Sequence, residues 1–479
     1  KTGGIDPNAK TPAALRNDGK DYQPASRLSV FAHQFTSITG AGPVTGPIIA
    51  AMFGWLPALL WIIIGGIFFG AVQDFTALYA SVRNGGKSMG MIIEQYVGRF
   101  GRQLFLAFCW LFTLLVIAAF ADMIAATFNG FTKTGEQNMP NAAAASISMI
   151  YIVGAVIFGL FQKYVKPSSG LQLAVGIAMM IAMLAMGIAW PIYADADTWR
   201  VVVFLYAFAA SVMPMWILKQ PRDFLSMFLL FGMIIAGVVG VFVTNPTINM
   251  PAFVGWEVKG LDLFPILFVT IACGAISGFH ATQSPLMARC VRNERECRSV
   301  FFGAMISESI IALIWAAVAT AFFGGAHALA EALAANGNSA AWAVNIISNT
   351  TLGIAGGILA LLGVVAAPIT SGDTAFRSAR LIVADIFRIE QRTQWKRFAI
   401  ALPLFVAGYL ITRVDFTVVW RYFAWTNQTL ATIVLWAVVV WLFAAKRNYF
   451  VALLPAVFMT FICASFVFVS GQFFGMENR

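Results

Sequence analysis

Apolar segments long enough to cross a lipid bilayer recur along almost the whole chain, and this excludes a single soluble core. A transmembrane helix needs about 17 to 25 predominantly apolar residues. The segments that meet this requirement are 31–52, 56–82, 103–128, 143–163, 170–190, 199–218, 225–244, 264–285, 300–323, 352–375, 397–412, 416–444 and 449–474. The composition agrees, because 60% of the 479 residues are hydrophobic and 11% are charged. We therefore expect an all-α polytopic membrane protein with about thirteen transmembrane helices.

Basic residues are confined to every second connection between these segments, and this alternation predicts the orientation. One set of connections carries Arg83, Lys87, Arg99, Arg102, Lys163, Lys166, Lys219, Arg222, Arg289, Arg292, Arg295, Arg298, Arg377, Arg380, Arg388, Arg392, Lys396, Arg397, Lys446 and Arg447. The other set, at 129–142, 191–198, 245–262 and 324–347, holds only Lys133 and Lys259. By the positive-inside rule, the N-terminus of this chain is cytoplasmic. The net charge of +10 thus reflects the orientation of the chain in the membrane and does not indicate a nucleic-acid partner.

The first apolar segment contains HQFTSITGAGPVTGP at 33–47, which an intact helix cannot cross. Pro43 and Pro47 remove amide donors, and lipid cannot satisfy the backbone groups left over, so the break must line a protein-enclosed cavity. Close packing explains glycines but not two prolines four residues apart, so a binding site is favoured. Backbone groups here would hold a substrate carboxylate or the termini of a peptide. The candidate substrate-binding residues are Ser37, Gly40, Ala41, Gly42 and Pro43.

A second interruption, CGAISGFHATQ at 273–283, lies in a segment that crosses in the opposite direction. Ser277 and His280 are its candidate substrate-binding residues. Gly274 and Gly278 also match a small-xxx-small packing face, so packing and site formation stay equally open here.

Two opposed broken helices suggest an inverted repeat. The expected organisation is a cytoplasmic N-terminal segment at 1–30, a first repeat at 31–190, an inserted helix pair at 199–244, a second repeat at 264–444 and an additional C-terminal helix at 449–479.

Ionisable residues inside the apolar segments supply candidate proton-coupling groups. Each costs roughly 2.5 to 3.5 kcal/mol near the bilayer centre unless it is paired, hydrated or neutral. The candidates are His33, Asp74, Glu308 and Asp373. A buried carboxyl group that is neutral when desolvated and ionised when hydrated can carry a proton. The alternative for each residue is that it only forms a hydrogen bond between helices. This alternative is more strongly favoured for Asp74, because Arg83 is close in sequence.

The segment that ends near residue 375 is rich in oxygen ligands, contributed by Thr370, Ser371, Asp373 and Thr374. Such a set suits sodium or a proton relay. Alternatively, Ser371 or Asp373 caps the following helix. Arg377, Arg380 and Arg388 would then form the cytoplasmic face of an amphipathic helix on the membrane surface.

Arg421 stands near the predicted outer end of segment 416–444, beside Trp420. It either holds a carboxylate or extends to the lipid interface within an aromatic belt, and the second interpretation is favoured.

With these residues in view, the chain resembles the carbon starvation protein A (CstA) family of peptide and pyruvate transporters. The matching stretches run from residue 4 to about 431 and are GIDPNAKTP, RNDGKDY, HQFTSITGAGPVTGP, LWIIIGGIFFGAVQDF, QPRDFL, SGFHA, PITSGDTAFRSARLIVAD and WRYFAWTNQTLA. The resemblance implies a prokaryotic inner-membrane importer with a five-plus-five inverted-repeat (LeuT-like) core and no cofactor. Family members carry one more apolar helix before GIDPNAKTP, so we expect that helix to be missing here.

A further likeness concerns AAPITSGDTAF, which resembles the eighth core helix of sodium:solute symporters, where hydroxyls bind sodium. That likeness places Thr370 and Ser371 against the backbone carbonyls of Ser37 to Ala41.

The function predicted is secondary active import of small carboxylate-bearing nutrients by alternating access. Peptides are the first substrate class and pyruvate is the alternative; a proton is the first coupling ion and sodium the alternative. A channel is less favoured, because the polar residues cluster at the helix breaks and do not line a continuous path. No metal motif, nucleophile elbow or phosphate loop indicates an enzyme, and the five cysteines show no CxxC pattern. The expected partners are the substrate and membrane lipid, and the oligomeric state stays open.

Overall fold

A computed structural model describes most of the chain. The described residues are 5–6, 8–17, 22–132, 134–213, 217–245, 247–258, 260–335, 342–344, 346–347, 350, 369, 371–384, 386–387, 389, 394–414 and 416–470.

Helices dominate the first half of the chain. They are α1 (Pro12–Arg16), α2 (Arg27–Ile38), α3 (Gly42–Ala50), α4 (Trp55–Gly65), α5 (Ala71–Arg83), α6 (Met89–Tyr96), α7 (Arg99–Phe128), α8 (Met139–Val165), α9 (Ser169–Ala189), α10 (Ala196–Val212) and α11 (Lys219–Thr244). A 3₁₀ turn at Ala51–Phe53 follows α3, and a π turn at Gly66–Gly70 joins α4 to α5.

The second half begins with a short antiparallel hairpin of β1 (Glu257–Val258) and β2 (Leu261–Asp262), in which Glu257 pairs with Asp262. The helices that follow are α12 (Leu263–Thr270), α13 (His280–Ala288), α14 (Glu294–Cys297), α15 (Gly303–Phe322), α16 (Ala326–Ala335), α17 (371–384), α18 (Gln394–Ile411), α19 (Phe416–Ala444) and α20 (Phe450–Val469). A π turn at Arg298–Phe302 joins α14 to α15.

Eight helical stretches among the described residues are long and apolar enough to cross a membrane. They are Trp55–Arg83, Arg99–Phe128, Met139–Val165, Gly170–Ala189, Lys219–Val243, Glu294–Phe322, Val418–Ala444 and Phe450–Val469. The structure is therefore that of a multi-pass membrane protein, as the apolar segments predicted. The predicted segment 352–375 lies mostly outside the described residues, and the number of thirteen stays a prediction.

The first helix break is shorter than the sequence predicted. It is confined to residues 39–41, because α2 ends at Ile38 and α3 begins at Gly42. Pro43 occupies the first turn of α3, where an amide has no intrahelical acceptor, so its missing N–H costs little. The break predicted within residues 33–47 is therefore present, but it does not extend to Gly42–Pro47.

The glycines of α3 let this helix pack closely against the second broken helix. A Cβ on Gly42 would lie 2.6 Å from Cβ of Cys273, and a Cβ on Gly46 would overlap the carbonyl oxygen of Thr270. Packing and helix interruption therefore coexist in GAGPVTGP, where we had favoured interruption alone.

We expect Gly46→Ala to destabilise the protein by about 1–3 kcal/mol, because a methyl group forced against backbone atoms displaces α3 from α12. Thermal unfolding in detergent measures this. Gly303→Ala is the matched control, since a Cβ there meets nothing nearer than the Phe31 ring at 3.6 Å. Equal melting temperatures for Gly46→Ala and the wild type would contradict the close packing.

Candidate functional site

The two helix breaks meet in the middle of the bundle. The second break covers residues 271–279, slightly earlier than the predicted 273–283, because α12 ends at Thr270 and α13 already begins at His280. In the described part of the chain, the amides of Gly40 and Ala41 donate to no acceptor. Two unsatisfied N–H groups between packed helices can hold an anionic group such as a carboxylate.

Polar side chains from three neighbouring helices hold the second break in place. The Asn427 amide oxygen accepts bonds from Ser277 Oγ and the Phe279 amide, both at 3.1 Å. Gln73 Nε2 donates to the Ser277 carbonyl at 2.7 Å, and Ser309 Oγ donates to the Gly274 carbonyl at 3.0 Å. The break therefore has a defined shape, as a binding site requires.

His280 lies between two carboxylates, and these three side chains form what we call the triad. His280 Nδ1 is 2.8 Å from Asp74 Oδ2, and its Nε2 is 3.2 Å from Glu308 Oε2. All three side chains are fully buried. Arg83, which we expected beside Asp74, pairs instead with Glu294 at 2.9 Å. The structure thus unites two predicted proton-coupling residues with a predicted substrate-binding residue.

The triad is electrostatically isolated. Among the described residues, the charged groups that act on Asp74 and Glu308 are the other members of the triad. Two carboxylates and one imidazolium carry one net negative charge, and a single added proton removes it. Burial in a medium of low dielectric constant favours the neutral arrangement, whereas hydration favours release of that proton.

His33 and Asp373 belong to a second buried network, apart from the triad. His33 Nδ1 is 2.5 Å from Asp223 Oδ2, and Asp223 Oδ1 is 3.2 Å from Arg222 Nη2. Arg222 Nη1 contacts Asp373 Oδ2 and the Tyr206 hydroxyl, which donates to Asp373 at 2.9 Å. The four residues predicted for proton coupling therefore lie in two separate clusters.

The sequence reasoning missed the basic members of this network. It treated Lys219 and Arg222 as cytoplasmic loop charges, which is wrong: α11 begins at Lys219, and the two residues are 4% and 0% exposed. Arg377 and Arg380 do not form an exposed amphipathic face either, because both are buried. Arg377 donates to the carbonyls of residues 210 and 213 at 3.0 and 2.8 Å. The sequence feature that could have revealed these buried basic residues is QPRDFL, in which an Arg–Asp pair directly precedes an apolar run.

One of the predicted sodium ligands is placed as the likeness to sodium:solute symporters implied. Ser371 Oγ donates to the Ser37 carbonyl at 3.0 Å, next to the first break. Thr374 is fully buried in α17. Thr370 lies outside the described residues.

A cavity of about 440 Å³ lies between α3 and α12. Its lining residues nearest to the two breaks are Thr45, one turn beyond Ala41, and Thr270, the last residue of α12. Arg421, which is exposed, also lines this cavity, so both the carboxylate-binding and the lipid-interface interpretations of this residue stay open.

Helix breaks that meet beside buried titratable groups, within a bundle of membrane-spanning length, are typical of the substrate and ion sites of secondary transporters. Comparison with known families agrees, because the family described as "Carbon starvation protein CstA" matches residues 1–361. The chain belongs to the CstA family, which confirms the resemblance seen in its motifs.

Characterised relatives carry two kinds of name. "Pyruvate/proton symporter BtsT" of Escherichia coli (strain K12) is 35% identical over 326 residues, covering 65% of this chain and 44% of that protein. "Peptide transporter CstA" of Campylobacter jejuni is 34% identical, covering 65% of this chain and 45% of that protein. The match therefore spans less than half the length of these two relatives. "Peptide transporter CstA" of Bacillus subtilis (strain 168) is 30% identical over 95% of this chain and 84% of its own length.

A solved structure has a related fold. The crystal structure of MhsT in complex with L-phenylalanine superposes with a TM-score of 0.52 at 14% identity, covering 93% of this chain and 96% of that one. At this identity the likeness concerns the fold alone.

Proposed function

We propose that this protein is a proton-coupled secondary active transporter that imports small carboxylate-bearing nutrients, with peptides as the first substrate class. The observation that carries this proposal is the fully buried Asp74–His280–Glu308 triad beside the junction of two broken helices. The proposal includes a five-plus-five repeat core in a prokaryotic inner membrane, with the N-terminus of the chain in the cytoplasm. The names of relatives support peptide or pyruvate transport in general.

The triad supplies the coupling step. When it is hydrated from the side with the higher proton concentration, it takes up one proton and becomes neutral, so it can be occluded at low cost. Hydration from the other side releases the proton. Each proton that enters contributes about 2.3 kcal/mol per 100 mV of membrane potential.

Substrate binding and protonation are coupled through the second break. His280 is the first residue of α13, directly after the segment that Asn427 and Gln73 hold. A carboxylate bound at the amides of Gly40 and Ala41 would contact the neighbouring break and move His280 relative to its two carboxylates. Binding at one break thereby changes the proton affinity at the other.

The cavity is large enough for peptides as well as for pyruvate. Sites for small organic ligands have volumes of roughly 300–1,000 Å³, and the 440 Å³ found here is ample for a dipeptide. Arg421 in its wall offers a charged partner for a carboxylate on the entry path.

Sodium coupling is the second candidate, carried by the contact between Ser371 Oγ and the Ser37 carbonyl. Two hard oxygen atoms 3.0 Å apart can both coordinate a sodium ion, with Thr370 and Thr374 as further candidate ligands.

Uptake by proteoliposomes under a single imposed gradient tests both candidates. We expect labelled dipeptide to accumulate when the lumen is alkaline, and a protonophore to abolish that accumulation. A sodium gradient at constant pH should have no effect. Accumulation driven by sodium alone would contradict proton coupling, and flux that does not saturate with substrate would indicate a channel.

A further inference from the structure

The second buried network has an excess of positive charge. We call it the α11 cluster and define it by His33, Tyr206, Lys219, Arg222, Asp223, Asp373 and Arg377. The charged groups that act most strongly on Lys219 are Asp223, Arg377, Arg222 and Asp373. The cluster therefore holds three cationic side chains against two carboxylates.

Two cationic groups in this cluster also have hydrogen-bond donors that are not used. Within the described residues, Lys219 Nζ and Arg222 Nε have no acceptor, although Lys219 is 4% and Arg222 0% exposed. The other guanidinium nitrogens of Arg222 are occupied by Asp223, Asp373 and Tyr206. Buried charged donors without a partner are costly, and native proteins seldom retain them.

The positions of Lys219 and Arg222 allow a shared ligand. They are three positions apart on α11, so their side chains leave the same face of the helix. One anion between them would accept hydrogen bonds from both and cancel the excess charge. We propose that the α11 cluster binds one small monovalent anion, a halide or a carboxylate, beside Lys219.

This anion site is distinct from the proton-coupling triad. None of the triad residues is among the charged groups that act on Lys219. Asp223 pairs with His33 and Arg222, and Asp373 pairs with Arg222, so both carboxylates of the cluster already have partners other than Lys219. The proposal does not depend on the direction of transport or on the coupling ion.

Thermal unfolding of the purified protein in detergent, with no gradient present, tests the proposal. Sodium chloride and sodium acetate are titrated separately against sodium sulfate at matched ionic strength. We expect a saturable rise of about 2 °C or more in Tm with at least one of the monovalent anions. Lys219→Met should abolish the rise and Lys219→Arg should retain it. Lys163→Met, at an exposed lysine near the end of α8, is the control.

The chloride and acetate titrations distinguish a halide site from a carboxylate site. A response to chloride alone identifies a halide site, whereas a response to acetate that a dipeptide or pyruvate reproduces identifies a carboxylate site. A wild-type protein that responds to neither anion would overturn the proposal, and this is the result expected if Lys219 is neutral. An equal response in Lys219→Met would also overturn it.

Discussion

Replacing Glu308 with glutamine will abolish proton-driven accumulation of substrate and leave exchange of labelled for unlabelled substrate close to the wild-type rate. Glutamine keeps the size and hydrogen-bonding capacity of the side chain but cannot take up a proton. At 100 mV, one coupled proton supports about 2.3 kcal/mol, or roughly a fifty-fold accumulation. We therefore expect the accumulation ratio in energised proteoliposomes to fall about fifty-fold, towards one.

Two comparisons make this result specific. Glu136→Gln removes an exposed carboxylate in the connection after α7 and should behave as the wild type. Asp74→Asn should reproduce the loss of accumulation, because Asp74 shares the imidazole with Glu308. Gradient-driven accumulation that survives in Glu308→Gln would exclude the triad as the coupling site. Loss of exchange in both triad variants would assign the triad to substrate binding.

Replacing Arg222 with methionine will destabilise the protein by about 3–5 kcal/mol, the largest effect on stability that we expect from one side chain here. Arg222 is fully buried between Asp223 and Asp373, and its loss removes the guanidinium group that contacts both carboxylates. Thermal unfolding in detergent is the measurement.

A double variant separates the charge from the packing. Arg222→Met with Asp373→Asn neutralises one of the two carboxylates that lose Arg222 and should recover a large part of the lost stability. Arg99→Met is the control, since the side chain of Arg99 is 89% exposed. If Arg222→Met unfolds at the wild-type temperature, the network contributes nothing to the fold.

The sequence predicted that two helices are broken, because glycine and proline act locally. The limits of the breaks were less predictable. A proline interrupts a helix in its interior but is accommodated in the first turn, and Pro43 lies in that first turn because α3 starts at Gly42. The choice of start depends on how closely Gly42 and Gly46 approach the second broken helix, which is a tertiary contact.

The sequence allowed the buried charged residues to be predicted, but not which of them pair with each other. Asp74 and His280 are 206 residues apart in the chain and meet only because α5 and α13 pack side by side. Lys219 and Arg222 were misassigned for a different reason. Basic residues at the end of an apolar segment usually mark the cytoplasmic interface, and the adjacent Asp223 alone distinguished this pair from a loop.

The position of His280 between two carboxylates on different helices has an evolutionary consequence. Loss of the imidazole alone would leave Asp74 and Glu308 facing each other in the interior with no cation between them. Loss of both carboxylates would leave the imidazole with no negative charge beside it to stabilise its protonated form. We therefore expect residues 74, 280 and 308 to change together among homologues, so that a lineage that loses one of these side chains also loses the others.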